Sequence, residues 1–241
     1  ISQALQLKGR LNVEALKQSF LEIVKRHEVF RTTFTTVDGQ PVQVVSPAVN
    51  LILPVLDLTN VSTTQQQVRV QQLANEQAQY CFNIAQETLL KVKLLKLSET
   101  KHVLLVVMHH IIADARSCAI IIQELTLLYK AFCLGQDATQ TTLPKLPIQY
   151  VDYADWEQKC LQETVLEEQL AYWKQQLADI PPVLALPTNR STSNAPSWKG
   201  AKTSFQLPLH LSEKLKKLSQ SEGSTLFMAL LAAFQTLLYR Y

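Results

Sequence analysis

The chain has 241 residues, 47% hydrophobic and 18% charged, with a formal net charge of +3 at pH 7. That is an ordinary globular composition, with material for a core in one large domain or two small ones. The basic residues are scattered, and the one small cluster, Lys214, Lys216 and Lys217, reads as a solvated helix face, which argues against a nucleic-acid partner.

Taken in order, residues 3–10 read as a strand, and Asn12 caps a helix over about 13–26 whose Val13, Leu16, Phe20, Ile23, Val24 and His27 recur at three- and four-residue spacing. Residues 28–36 are aromatic and β-branched, which predicts a strand. Asp38-Gly39 predicts a hairpin turn with 40–46 pairing back. A short strand is expected at 51–56 and a thinly apolar surface helix at 62–80. Residues 89–97 and 102–108 predict a hairpin, its second strand apolar enough to be central. Ser117 is the expected N-cap of a helix at 118–133 that is apolar nearly all round. Another helix starts at Tyr150 and continues over 161–177. A Pro- and Ser/Thr/Asn-rich linker is expected at 179–200, between a first lobe (1–178) and the beginning of a second (201–241). The second piece would hold a strand at 201–207, a Lys-rich helix at 211–220 and an apolar helix at 224–240. The order predicts α/β architecture, a mixed sheet with packed helices.

Cys81, Cys118, Cys133 and Cys160 form no CxxC pair, and Cys118 and Cys133 stand among apolar residues. Buried reduced thiols and a cytoplasmic location are the expectation. The start Ile1-Ser2-Gln3 has no initiator Met, basic region or cleavage site, as expected of a piece of a longer protein without a signal peptide. The longest apolar segment, 225–239, falls short of the roughly 20 residues of a membrane span and contains Gln235 and Thr236, so a buried helix is expected there and no membrane partner.

The chemistry concentrates in His109-His110-Ile111-Ile112-Ala113-Asp114-Ala115-Arg116-Ser117, wedged between two core-forming runs. Consecutive strand residues face opposite sides, so the two histidines cannot both face one cleft unless the strand breaks. One is a candidate catalyst and the other a packing residue. Asp114 either touches an imidazole or takes an Arg from elsewhere. A His between strand and helix suits general-base work near neutral pH. Adjacent histidines point apart and no Cys or His supports them at ligand spacing, which argues against zinc. A Cys118–His nucleophilic pair rests on proximity alone. The bland reading makes all three polar residues structural.

His109 through Ala115 resembles the HHxxxDG signature of condensation domains of nonribosomal peptide synthetases, within the chloramphenicol-acetyltransferase-like acyltransferases. The upstream Arg26-His27-Glu28-Val29-Phe30-Arg31-Thr32-Thr33-Phe34 is similar to that family's RHExLRTxF motif, with Phe for Leu. Residues 150–156 resemble its YxDYAxW block, and Tyr172-Trp173 with Leu177 resembles the exit from the first lobe. The resemblance implies a two-layer α+β sandwich lobe followed by the opening of a second. It implies amide-bond formation: the amine of an acceptor aminoacyl thioester attacks a donor acyl or peptidyl thioester. Both substrates would ride on phosphopantetheine arms of partner carrier-protein domains, with a neighbouring adenylation domain and no cofactor held by this domain. His110 would face the tunnel as base or positioning group. His109 and Asp114 would be supports, with Asp114 paired to an Arg of the upstream motif, Arg26 before Arg31. Ala115 and Ser117 would border the tunnel. Ala115 departs from the signature's Gly, which would allow close backbone approach or a conformation that a Cβ resists. The family's first motif is expected before Ile1 and its second-lobe motifs after Tyr241, leaving one tunnel wall in this sequence. Ester-forming and epimerising relatives share HHxxxD, heterocyclising ones carry aspartates for both histidines, and recruitment domains of this fold usually lose the active-site His.

Overall fold

The computed structural model describes residues 1–48, 51–137, 143–161, 164–182, 186 and 203–241. The chain divides into two units, Ile1–Glu168 and Gln169–Tyr241. Most of the expected linker, and residues 201–202 of the expected strand after it, lie outside the described residues.

In the first unit, β1 (Ser2–Lys8), β6 (Lys101–Met108), β5 (Leu90–Ser98) and β4 (Val55–Asp57) lie side by side in that order. β6 runs antiparallel to both neighbours, and β4 is parallel to β5, so the sheet is mixed. Alternate side chains of the central strands face two cores. Leu90, Val92, Leu94, Leu104, Val106 and Met108 meet Leu16, Phe20, Ile23 and Val24 of α1 (Val13–Arg26) and Ile121 and Leu128 of α3 (Ala115–Cys133). Leu95, Leu97, Val103 and Leu105 meet Leu73 of α2 (Thr63–Ala78) and Leu58. The expected layer of helices on one face is therefore joined by α2 on the other.

Local chemistry sets the boundaries. Asn12 Oδ1 accepts the Ala15 N–H at 3.1 Å and starts α1. β2 (Thr32–Val37) and β3 (Gln40–Val45) form a separate hairpin, turned at Asp38 (φ 50°) and Gly39 (φ 79°), the left-handed pair that a tight hairpin requires. Residues 28–31 are a 3-10 turn rather than strand. Burial of Phe30 in the main core and a Thr32 Oγ1–Glu28 O bond of 2.8 Å close that turn.

α4 (Tyr150–Cys160) ends the first unit's own elements, and α5 (Thr164–Gln176) crosses the division. The second unit holds α6 (Leu209–Ser221) and α7 (Leu226–Arg240). The expected strand has no ladder over the described residues 203–207. α7, expected to be buried, exposes Phe227 at 72% and Phe234 at 55%. Apolar periodicity states what a helix is able to bury, not what stands against it. Among the described residues no helix is long and apolar enough to cross a membrane.

Candidate active site

The histidine loop is built at the end of β6. Met108 pairs with Ile1, and the His109 N–H donates to Leu89 O at 3.0 Å, the last sheet-like bond. The backbone then turns, with the Ile112 N–H reaching His109 O at 3.1 Å. Ile112 and Ala113 drop into the main core and anchor the turn from below. The strand thus ends at Met108, and the turn begins at the two histidines.

His109 is half-buried. Its Nδ1 accepts the Ile111 N–H at 3.1 Å, so the neutral ring carries its proton on Nε2. Its ring stands edge-on to Phe82, centroids 6.1 Å apart at 89°. His110 is exposed, and its ring meets no hydrogen-bonding, ionic or aromatic partner among the described residues. One imidazole is locked and the other is free to take or hold a proton on an incoming group.

Asp114, not Ser117, is the N-cap of α3. Its Oδ1 accepts the Ser117 N–H and the Ser117 Oγ–H, both at 2.7 Å, and its own N–H donates to Ser117 Oγ at 3.2 Å. The Ser117 backbone N–H, then its hydroxyl, hold the Asp114 carboxyl below the usual carboxylate value. The expected arginine does not reach it. Arg26 donates from Nε to both carboxylate oxygens of Glu124, at 3.2 and 3.3 Å, and from Nη2 to Pro144 O. Arg31 donates to Ser46 O at 2.7 Å and to Glu28 at 2.8 Å. Glu124 lies ten positions along α3 from the cap, about 15 Å at 1.5 Å per residue, on the buried side facing α1. Helix register decides which carboxylate the remote arginine meets.

Ala115 is the first residue of α3 and has no positive φ. The conformational reason for Gly at this position is therefore absent, leaving only space for an approaching group. Cys118 is buried, but Cys133 is exposed, contrary to its apolar neighbourhood in sequence. No hydrogen bond joins Cys118 to a histidine among the described residues. No group of three His, Cys, Asp or Glu side chains there is placed to hold a metal ion.

The sequence reading missed Glu124 and Phe82. Glu124 left a signal, the lone carboxylate in the largely apolar helix over 118–133. Phe82 left none.

The family model described as "Condensation domain" matches residues 1–241. The chain belongs to the condensation-domain family. This condensation-domain chain is 43% identical over 241 residues to a linear gramicidin synthase of Brevibacillus parabrevis, covering 100% of itself and 3% of that protein. It is 33% identical over 241 residues to phosphinothricin tripeptide synthetase PhsC of Streptomyces viridochromogenes, covering 22% of that protein and 100% of itself. Among solved structures, the X-domain from teicoplanin biosynthesis superposes with a TM-score of 0.85 at 28% identity, with 100% of this chain and 52% of that one covered. SgcC5 of Streptomyces globisporus follows with a TM-score of 0.75 at 26% identity, with 100% and 53% covered. The chain thus spans about half the length of these solved relatives and a small part of the curated ones. Its mixed α/β lobe is that of condensation domains.

Proposed function

We propose that this condensation domain forms an amide bond between two thioester-bound substrates of a nonribosomal peptide synthetase. The acceptor amine attacks the donor thioester carbonyl, the C–N bond forms, the C–S bond breaks and the donor thiol leaves. The amine loses one proton. His110 acts as the base for it or as the acceptor that holds the amine in line, and alignment alone supplies much of such a rate. The observation that carries this reading is the contrast between a free, exposed His110 and a locked His109 on one turn. Asp114 and His109 support the turn, Arg26 and Arg31 brace the lobe, and Ala115 and Ser117 border the space beside His110.

The substrates arrive on phosphopantetheine arms of donor and acceptor carrier domains, beside an adenylation domain. Four free cysteines suit a reducing, cytoplasmic setting. Likeness to the X-domain, known in complex with OxyB, favours one second reading, a recruitment surface without chemistry. In the full-length protein with both carriers loaded, His110→Ala is expected to abolish product. Turnover near that of the wild type would overturn the catalytic role of His110, and a wild-type protein that forms no amide would favour recruitment instead.

A further inference from the structure

The segment between α2 and β5 makes a small ionic and aromatic clamp that the reaction does not use directly. Glu87 is its centre. Its carboxylate accepts the Tyr80 hydroxyl at 2.8 Å, the Asn83 N–H at 2.8 Å and the Lys91 ammonium at 2.9 Å. The same ammonium sits 4.0 Å from the centroid of the Tyr80 ring, over its negative face. Burial alone would raise the Glu87 carboxyl, but Lys91, the Asn83 N–H and the Tyr80 hydroxyl together hold it below the usual value.

This clamp fixes the ring of Tyr80, and Tyr80 in turn stands edge-on to Phe82, centroids 5.0 Å apart at 76°. Phe82 packs against the main core and presents the wall that His109 meets at 6.1 Å and 89°. The segment grips the turn through its backbone as well, since Leu89 O accepts the His109 N–H at 3.0 Å. Ile84 O accepts the Phe34 N–H at 2.8 Å and pins the middle of the segment to β2.

His109 is therefore held from two sides, by the Ile111 N–H on Nδ1 and by the Phe82 ring. Without the wall, the imidazole is free to rotate and release that N–H. The 109–112 turn then loses a bond, and the direction of His110 is no longer single. We propose that Phe82, clamped by Tyr80, Glu87 and Lys91, is a positioning residue that fixes the His109 ring and thereby the direction of His110. The proposal rests on the reading of His110 as the catalytic group.

Phe82→Leu keeps most of the volume but removes the aromatic wall, and Phe82→Tyr restores it. Two measurements test them. In the full chain labelled with ring 15N-histidine, with His109 assigned by its loss in His109→Gln, wild type and Phe82→Tyr are expected to show two distinct nitrogens, Nε2 protonated. Phe82→Leu is expected to show averaged nitrogens. In the full-length protein with loaded carriers, Phe82→Leu is expected to lower kcat about 100-fold with little change in KM, and Phe82→Tyr to recover it. Glu87→Gln, which leaves the Phe82 ring itself in place, is expected to move both readouts in the same direction and serves if Phe82→Leu fails to fold. An unchanged His109 spectrum in Phe82→Leu or Glu87→Gln overturns the proposal. An altered spectrum together with an active His110→Ala variant overturns the catalytic reading instead and leaves the positioning of the turn standing.

Discussion

Glu124 of α3 receives the Arg26 guanidinium at 3.2 Å and His27 Nε2 at 2.7 Å, joining residues 97 and 98 positions apart. The three side chains are 10–19% exposed, so the cluster is largely out of water. A carboxylate only accepts, so His27 donates from Nε2. Around it, Gln149 bonds Arg26 O and the Glu28 N–H, each at 3.1 Å, tying the segment before α4 to the end of α1. Glu124→Leu leaves the arginine buried and unpaired and is expected to cost about 3 kcal/mol. The double variant Arg26→Met, Glu124→Leu is expected to regain most of that, because no charge is stranded. Urea unfolding of the single and double variants checks it; equal midpoints for wild type and Glu124→Leu would remove the cluster from the stabilising contacts.

Asp114 predicts a different pattern. As a cap it needs an acceptor, not a charge, so Asp114→Asn is expected to keep most of the stability and Asp114→Ala to lose it. An ion-pair partner would be hurt alike by both. Melting temperatures of the two variants separate these roles. The depressed Asp114 carboxyl adds stability above the unfolded carboxylate value, and that is lost as pH falls through its folded value.

Gln66 braces the second core. Its amide donates both hydrogens, to Leu58 O at 2.8 Å and to Leu97 O at 2.9 Å, while buried between α2 and the sheet. Gln66→Leu leaves two carbonyls without that donor and is expected to destabilise by about 2 kcal/mol. Gln66→Glu is expected to be worse, because a carboxylate faces the same carbonyls. Denaturant midpoints of the two variants give the order.

His102, buried on β6 with an unpartnered Nδ1, sets a pH slope. Burial, then the nearby Lys96 charge, lowers its pKa, with Glu99 opposing. The unfolded chain therefore takes the proton first as pH falls. The stability of the neutral, buried ring is complete above the unfolded histidine value of about 6.5 and declines below it, towards the lower folded value. The melting temperature is expected to drop between about pH 7.5 and pH 5.5, and His102→Leu to flatten that slope. An equal slope in the variant would assign the acid sensitivity to another group.

Much of the first unit was legible before folding. The stripe of Leu16, Phe20, Ile23 and Val24 predicted α1 and its buried face. Asp38-Gly39 predicted a turn that only left-handed backbone closes. The apolar run ending at Met108 predicted a central strand, whereas the choice of His110 over His109 came from the resemblance and not from alternation, since both histidines follow the end of that strand. Local periods and turn chemistry are properties of neighbouring residues, so sequence carries them.

The pairings between distant residues were decided by the tertiary structure. Arg26 met Glu124 rather than Asp114 because Asp114 caps the start of α3 while Glu124 stands in its middle on the buried side, and the approach of α1 to α3 selects the second. Phe82 became the wall of His109 only because the segment after α2 folds back over the end of β6. The exposure of Cys133 depended likewise on what stands nearby. A sequence states which groups need partners; which partner each receives depends on distances that exist only once the chain has packed.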